Sequence, residues 1–559
     1  MAVPTESFDD FSLAGLRETL STLVAQVECL QTEVAAQAKV IEDQSRTIED
    51  LKLALTVRDA KIGEQADEIA RLKGLPPRPK FGGKPSGMEK ATSKPLGGGK
   101  GKGRKAGRGS KRDKLTVTKE VKLKASGVPA GSRFRGYEDV TVQDLHIHAA
   151  VIRYRRERWE TPDGKRIVAD IPAGVMGGFG PQLRQFIAAA HYQGQVTSER
   201  LVSLLNGMGL DISKRQVVRF LSEGLEDLIA EDQDVLKAGL ETASWISVDD
   251  TGARHNRQDA FTTQFGDDRF TVFRTGPTKS RRRFLYDLQC GLQDYVIDEV
   301  AFAYMLRLKL PEALISKLRA HPSKRFNTEV SFTAHLEMLG FDGIKIAPDP
   351  TRVATEAALW AAIKEQGLLD GTVIVSDGAG QFRVEDQALC WIHSERLIYR
   401  LQPANAAHQK AVDVIRTLIW WFYRDLKAYK LCPDPKRARM MRARFDRIFT
   451  KKTGYILLDQ QLRRLHRRKE HLLRVLDRPE IPLHTNGSEN DIRSMVTKRK
   501  ISGGTMSDAG KAARDTMLGL MKTCTKLKLS FYRFLGDRFA VQGAPSVEKL
   551  PTLVRLAAA

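Results

Sequence analysis

Cysteine is scarce and scattered in this chain of 559 residues, and long apolar runs are missing. The five cysteines are odd in number and widely spaced, which does not match the disulfide framework of a small secreted domain and fits a reducing compartment. No apolar stretch approaches the length that crosses a bilayer, and the first residues lack the basic and apolar regions of a signal peptide. These absences predict a soluble cytoplasmic protein that does not contact the membrane.

Acidic residues are outnumbered, because 91 Lys and Arg residues against 68 Asp and Glu residues give a formal net charge of +23. Such an excess favours a polyanionic partner, although ribosomal and membrane-surface proteins share it. Residues 74–124, with GGGKGKGRKAGRGSKR at their centre, have few hydrophobic residues, so we predict a disordered basic linker. It is expected either to contact DNA phosphates without reading sequence or to be a solvated spacer. The cations of its central block are Lys100, Lys102, Arg104, Lys105, Arg108, Lys111 and Arg112.

A seven-residue hydrophobic repeat precedes the linker, in residues 16–73. Its first seam consists of Leu20, Val27, Val34, Ile41, Ile48, Leu55, Ile62 and Ile69. The second seam contains Leu16, Leu23, Leu30, Leu51 and Leu72. Mostly β-branched residues in one seam and leucine in the other favour a parallel two-stranded coiled coil. We therefore predict that residues 1–73 form a dimerisation segment, with a single amphipathic helix packed on its own protein as the alternative.

Residues 125–240 are predicted to be mostly helical after a short strand at Ile167–Ile171. Helix Pro181–Tyr192 is followed by two short helices, Ser198–Gly207 and Ser213–Ser222, whose spacing resembles a helix-turn-helix with Ser213 as the second N-cap. The exposed cations of the second short helix, which would contact DNA, are Lys214, Arg215 and Arg219. A DNA-reading pair and an ordinary helical bundle both fit this pattern.

Three acidic stretches follow. Asp249 and Asp250 end a buried strand that begins at Trp245, Asp377 ends a β-branched strand, and Glu489 lies in the first turn of a helix capped by Thr485 or Asn486. A carboxylate at a strand end needs a partner, and a divalent cation is a good one. Acidic groups from two strands and a helix can converge on a metal pair that performs phosphoryl transfer. For the Asp249–Asp250 pair alone, a polar strand end followed by a turn is the simpler alternative.

These stretches also carry a family resemblance. WISVDDTGARH, VIVSDGAGQF with LCWIHSERL, and LHTNGSENDIRSMVTKRKISGG resemble, in this order, the DDE transposases of the IS66 insertion-sequence family. The resemblance extends from about Phe134 onward. It implies an RNase H-like fold in which Asp249, Asp377 and Glu489 are the catalytic, metal-binding residues and Mg²⁺ is the cofactor, with Mn²⁺ as an alternative. The family's first motif reads Asp, acidic residue, Thr, which favours Asp249 over Asp250.

Two further motifs have competing interpretations. Cys390 and His393 form a Cys-x-x-His pair that fits half of a zinc site or a buried thiol beside a hydrogen-bonded histidine. The resemblance implies instead that both lie close to the active site, as does Asp250. The aromatic cluster Trp420–Tyr423 fits either stacking on an extruded base or core packing, and core packing is favoured.

The expected architecture is a multidomain α+β protein. It has an N-terminal coiled coil, a helical DNA-binding region and an RNase H-like α/β catalytic core over residues 241–500, with an all-helical insertion at about 400–480. The core is expected to contain a hairpin of Ala260–Gly266 and Arg269–Thr275, then a basic loop, Thr278–Arg283. The insertion helices are predicted at Ala406–Tyr429, Pro435–Phe449 and Leu458–Leu476. Residues 501–559 are predicted to form a C-terminal helical segment with helices Met517–Lys526 and Ser530–Phe539.

The resemblance implies a transposase that binds the ends of an insertion sequence and catalyses metal-dependent strand cleavage and strand transfer. It would act on the nucleoid in the bacterial cytoplasm, as a homodimer or higher oligomer joined through the coiled coil, with small accessory proteins of the same element. The alternatives are a two-metal nuclease that cuts without joining and a dimeric DNA-binding protein with an inactive transposase fold.

Overall fold

The computed structural model describes residues 117–558, except 128 and 130, together with Ser21, Gln31 and Gln37, which are helical. The chain divides into two units, residues 1–85 and residues 86–559. The predicted coiled coil, apart from those three positions, and the basic block of the linker lie outside the described residues and stay predictions. Among the helices of the described ranges, none combines the length and apolar character needed to cross a bilayer.

A mixed five-stranded sheet positions the acidic motifs. Its strands are β3 (Trp245–His255), β4 (Gln258–Gly266), β5 (Thr271–Gly276), β8 (Val373–Ser376) and β9 (Gln387–Leu389). The order across the sheet is β5-β4-β3-β8-β9. The pairs β3–β4 and β4–β5 are antiparallel, whereas β8 runs parallel to both β3 and β9. The described part also has two small ribbons, formed by β1 (Arg158–Glu160) with β2 (Arg166–Val168) and by β6 (Tyr295–Val296) with β7 (Arg325–Phe326).

The first acidic strand is longer than predicted. The sequence predicts a strand of four residues that ends at Val248. Strand β3 instead continues to His255, because it pairs with β4 from Ser247 to His255. Asn256 and Arg257 make the connecting turn with φ of 49° and 64°, which is the conformation of the tight hairpin turns that suit twisted strands. The predicted hairpin that follows is confirmed as β4 and β5, with Asp267 and Asp268 in the turn.

Four helices precede the sheet; the first three confirm the predicted helices, and the fourth was not predicted. They are α1 (Pro181–Tyr192), α2 (Ser198–Gly207), α3 (Lys214–Ser222) and α4 (Glu226–Thr242). Ser213 caps α3, as predicted, and its hydroxyl accepts a hydrogen bond from the Gln216 N–H at 3.3 Å. The predicted strand at Ile167–Ile171 is confirmed only in its first two residues, within β2.

Five helices lie between β5 and β8. They are α5 (Arg281–Leu288), α6 (Glu299–Arg307), α7 (Glu312–Ala320), α8 (Glu329–Met338) and α9 (Pro350–Glu365). The prediction of a basic loop at Thr278–Arg283 is wrong for its second half. Ser280 caps α5 there by accepting a hydrogen bond from the Arg283 N–H at 3.2 Å, so Arg281–Arg283 form the first helical turn.

Residues between β9 and the Glu489 helix form helices around a hydrophobic core of their own. The helices are α10 (Trp391–Tyr399), α11 (Ala406–Leu431), α12 (Pro435–Phe449), α13 (Ile456–His466) and α14 (Lys469–Leu472). The predicted third helix, Leu458–Leu476, is divided into α13, α14 and a 3-10 turn at Arg474–Leu476. Phe422 and Tyr423 belong to this core, in agreement with the packing interpretation, whereas Trp421 is half exposed.

Four helices complete the chain. They are α15 (Asn486–Ser502), α16 (Asp508–Lys526), α17 (Phe531–Arg538) and α18 (Leu550–Leu556). Helix α16 begins nine residues before the predicted Met517, because Ser507 caps it through the Gly510 N–H at 3.1 Å. Helix α16 packs on β5 and α15 packs on β3, so both close the sheet from residues distant in sequence.

Candidate active site

Asp249 of β3 and Asp377, the residue after β8, lie at the same level of two neighbouring parallel strands. The register pairs Ser247 of β3 with Val375 of β8. Two residues further along each chain are Asp249 and Asp377, and alternate residues of a strand face the same side. Direct pairing of β3 with β8 ends at Ser247, so the β8 side of β3 is open where the carboxylates stand. The two carboxylates can therefore face one ligand.

The environment of Asp249 is partly buried and negatively charged. Burial raises the pKa of the Asp249 carboxyl to about 6, and the charges of Asp377 and Asp250 contribute in the same direction. The Asp250 N–H, which donates to Asp249 Oδ1 at 2.8 Å, and the nearby His393 oppose this rise. Carboxylates that repel one another in this way favour a cation between them.

Asp250 has different partners. Gln381 Nε2 donates a hydrogen bond to Asp250 Oδ2 at 2.5 Å. Burial raises the pKa of the Asp250 carboxyl, while the positive charge of Lys279 and the Gln381 hydrogen bond lower it. Adjacent residues of a strand point to opposite faces, so Asp250 does not share the face of Asp249.

The loop after β8 is held by backbone and arginine contacts. The Ala379 N–H donates to Asp377 Oδ1 at 2.8 Å, which fixes the rotamer of this exposed carboxylate. Arg281 donates to the Gly380 carbonyl at 2.8 Å and is itself paired with the buried Glu356 at 3.1 Å. The loop that carries Asp377 is therefore anchored to α5 and α9.

Glu489 reaches the same side of the sheet through the start of α15. The buried hydroxyls of Ser247 and Ser488 are 2.5 Å apart, so the residue preceding Glu489 contacts the strand residue two positions before Asp249. Thr485 occupies the predicted N-cap position, but its hydroxyl makes no capping bond. Its N–H instead donates to the Cys390 sulfur at 3.4 Å, which ties the helix start to the end of β9.

Glu489 and the nearby acid Asp491 differ sharply. Glu489 is partly exposed, and its Oε1 lies 3.5 Å from His393 Nε2 and 3.9 Å from Arg396 Nη2. Asp491 is buried and fully engaged, because it pairs with Lys526 at 2.7 Å and accepts a hydrogen bond from the Thr271 hydroxyl at 2.6 Å. Glu489 is the one available to a ligand, whereas Asp491 joins α15 to β5 and α16.

His393 contacts Glu489, and Cys390 contacts the backbone just before the Glu489 helix. Cys390 is buried at the N-cap of α10, and His393 lies one turn later, where its Nδ1 is buried without a hydrogen-bond partner in the described part of the chain. The Cys390 side chain raises the pKa of His393, against the effect of burial. The pair thus lies beside a candidate catalytic residue.

The described residues contain no group of three or more His, Cys, Asp and Glu side chains close enough to hold a metal ion. The three predicted acids therefore do not form one such group in the described residues: Asp249 interacts with Asp377, and Glu489 contacts His393. The carboxylates of Asp249 and Asp377 fit a hard divalent cation, because burial raises the pKa of Asp249 and the charge of Asp377 adds to that rise. A zinc site built on Cys390 and His393 lacks further ligands within the described ranges.

Comparison with known proteins relates this chain to a family. A model of the transposase IS66 family matches residues 361–513. An uncharacterized protein of Sinorhizobium fredii (strain NBRC 101917 / NGR234), y4jO, is 54% identical over 310 residues, which are 55% of this chain and 96% of that protein. The chain belongs to the IS66 transposase family. The stretch matched by the IS66 model contains Asp377 and Glu489 and the pair of Cys390 and His393, while Asp249 precedes it.

Several neighbours of the candidate site were missed from the sequence. Gln381 and Arg396 lie within the motifs VIVSDGAGQF and LCWIHSERL, so their closeness to an acidic residue was a usable signal. Lys279 and Arg468 approach the site from other parts of the chain, and no local pattern indicated that. The predicted DNA-contacting residues Lys214, Arg215 and Arg219 are exposed on α3, away from the paired acids in sequence.

Proposed function

We propose that this IS66 family member is an insertion-sequence transposase that cleaves the ends of its element and joins them to target DNA. The observation that carries the proposal is that β3, which carries Asp249, pairs with β8, which Asp377 follows, and also packs against the helix that carries Glu489. A chain that only bound DNA would have no use for a partly buried carboxylate whose pKa is raised further by the charge of a second carboxylate.

The sheet supports an RNase H-like core. Three consecutive antiparallel strands, β3 to β5, are followed by two strands that extend the sheet on the other side of β3 and run parallel to it. The carboxylates come from the first strand of the sheet, from the end of β8 and from α15, which packs on β3. On this proposal, the helices between β9 and α15 are an insertion into that core.

The chain's own residues would prepare the site for divalent ions. Asp249 and Asp377 supply charge at one level of the sheet, and Gln381 retains Asp250 on the other face. His393 and Arg396 orient Glu489 toward its ligand. Two bound Mg²⁺ ions, or Mn²⁺, would activate the attacking water or 3′-hydroxyl and stabilise the leaving oxygen of the scissile phosphate.

DNA is the proposed partner in two roles, as the element end that is cleaved and as the target to which it is joined. The net charge of +23 supports that assignment, because phosphate contacts supply most of the affinity for DNA. A homodimer or higher oligomer, joined through the N-terminal heptads, would bring two element ends together. Small accessory proteins of the same element and a bacterial cytoplasmic location, at the nucleoid, belong to the same proposal.

Substitution of the three acids tests the proposal. Asp249→Ala, Asp377→Ala and Glu489→Ala should each abolish Mg²⁺-dependent cleavage of duplexes carrying the element end, and leave their affinity for that DNA unchanged. Asp268→Ala, which removes an exposed carboxylate in the β4–β5 turn, is the matched control and should cleave normally. Full cleavage by any of the three variants would remove that residue from the catalytic set.

A further inference from the structure

Two arginines from distant parts of the chain meet on one carbonyl beside Asp377. Arg383 Nη2 donates to the Gly378 carbonyl at 3.1 Å, and Arg468 Nη2 donates to the same oxygen at 3.3 Å. Arg383 follows the Asp377 loop, whereas Arg468 lies between α13 and α14 in the helical insertion. The insertion therefore delivers a guanidinium group to the residue that follows a candidate catalytic acid.

Gly378 makes this approach feasible. Its φ is +90°, and a Cβ at this position would lie 2.5 Å from Arg468 Nη1 and 2.8 Å from the Leu389 side chain. Only a glycine combines that backbone conformation with so close an approach. The Arg468 guanidinium thus packs directly against the backbone next to Asp377.

Arg383 and Arg468 lack the carboxylate partners that neutralise many other arginines near them. Arg281, which contacts the same loop, is paired with Glu356, and Arg416 of the insertion is paired with Glu395 at 2.5 Å. Arg474 is likewise paired with Asp386. Within residues 117–558, no Asp or Glu oxygen lies within 4.0 Å of the guanidinium nitrogens of Arg383 or Arg468. A guanidinium group has five N–H donors, so each group retains donors after its bond to the Gly378 carbonyl.

We propose that Arg383 and Arg468 form a phosphate-binding site for the DNA strand that is cut. The planar donor fork of arginine matches two phosphate oxygens, and the paired positive charges are free to meet an anion. Because the shared carbonyl belongs to the residue after Asp377, a phosphate held there lies next to the candidate metal ligands. This inference rests on the proposed function and gives the helical insertion a direct part in substrate binding.

The salt dependence of DNA binding tests the site. Binding of an element-end duplex to the full chain is titrated at several salt concentrations, without divalent ions so that no cleavage occurs. Each lost phosphate contact should lower the slope of log affinity against log salt by roughly 0.9 on duplex DNA. Arg383→Ala and Arg468→Ala should each show this loss, whereas Arg467→Ala, an exposed neighbour in the insertion, should retain the slope of the unmodified protein.

Two further variants separate phosphate binding from a structural role. Arg468→Lys keeps the charge and should restore most of the slope, although it cannot form the two-pronged contact. Gly378→Ala should reproduce the slope of Arg468→Ala, because the added methyl group displaces the guanidinium. If Arg468→Ala fails to fold, the exposed Arg383 still provides the test.

The outcomes distinguish this inference from the proposed function. An unchanged slope in both alanine variants, or an equal loss in Arg467→Ala, would refute the phosphate site even if the unmodified protein cleaves DNA. The expected slope losses in a protein whose unmodified form never cleaves would refute the proposed function, and Arg383 and Arg468 would remain a contact for DNA phosphate.

Discussion

Glu489 and Asp491 lie on the same helix, but we expect their substitution to have different effects, on catalysis for Glu489 and on stability for Asp491. Asp491 is 5% exposed, pairs with Lys526 at 2.7 Å and lies 3.8 Å from the Lys522 ammonium nitrogen. Asp491→Ala leaves those cations without their carboxylate and deprives the Thr271 hydroxyl of its acceptor. Breaking a buried ion pair costs about 3–5 kcal/mol in free energy of unfolding.

The lower end of that range is expected here. Lys526 also donates to the carbonyls of Asp267 at 2.6 Å and Phe270 at 2.9 Å, so its charge keeps two acceptors. We therefore expect Asp491→Ala to lose about 3 kcal/mol. Glu489 is only partly buried and its nearest basic side chain, His393, is 3.5 Å away, so Glu489→Ala should change stability by less than about 1 kcal/mol.

Urea unfolding followed by circular dichroism measures the stability of both variants, and cleavage of an element-end duplex measures their activity. Glu489→Ala should be stable and inactive. Asp491→Ala should be destabilised and, at temperatures where it stays folded, should retain cleavage. Loss of cleavage in a fully stable Asp491→Ala, with activity preserved in Glu489→Ala, would refute our assignment of the third acid.

Three other predictions concern separate parts of the chain. Burial lowers the pKa of the Lys498 ammonium to about 7. The unfolded chain therefore binds this proton more tightly, and the free energy of unfolding should rise between pH about 7 and about 10. Lys498→Met should flatten that rise in urea titrations. Deleting residues 1–73 should convert a dimer to a monomer by light scattering, and an unchanged mass would move the interface elsewhere. Removing Lys100–Arg112 should weaken binding to all DNA sequences about equally, whereas alanine at the three exposed cations of α3 should weaken binding to element ends more than to random DNA.

Local patterns predicted much of the fold that surrounds the site. The helices at Pro181–Tyr192 and Pro435–Phe449 have the predicted bounds, because a proline at the first position and periodic apolar residues mark them clearly. The β-branched run before Asp377 is strand β8, which is buried on both faces of the sheet. In these segments the local preference and the tertiary packing agree.

Other features depend on contacts that a sequence does not display. The extension of β3 beyond Val248 depends on its pairing with β4. Without knowledge of that partner, two adjacent acids after an apolar run indicate the end of a strand. The start of α16 was missed because its first turns are rich in small and polar residues, although Ser507 is a usable cap. The meeting of Arg383 and Arg468 at Gly378 joins residues 85 positions apart, for which no periodicity gives a signal.

Strand transfer is the measurement that tests the central claim most directly. A duplex that ends in the element's exposed 3′-hydroxyl is incubated with supercoiled target DNA, Mg²⁺ and the full-length protein, and joined products are separated by electrophoresis. We predict joined products with the unmodified protein and none with Asp249→Ala or Asp377→Ala, although both variants bind the duplex. Cleaved but never joined DNA would indicate a nuclease, and joining that survives both substitutions would contradict the site described here.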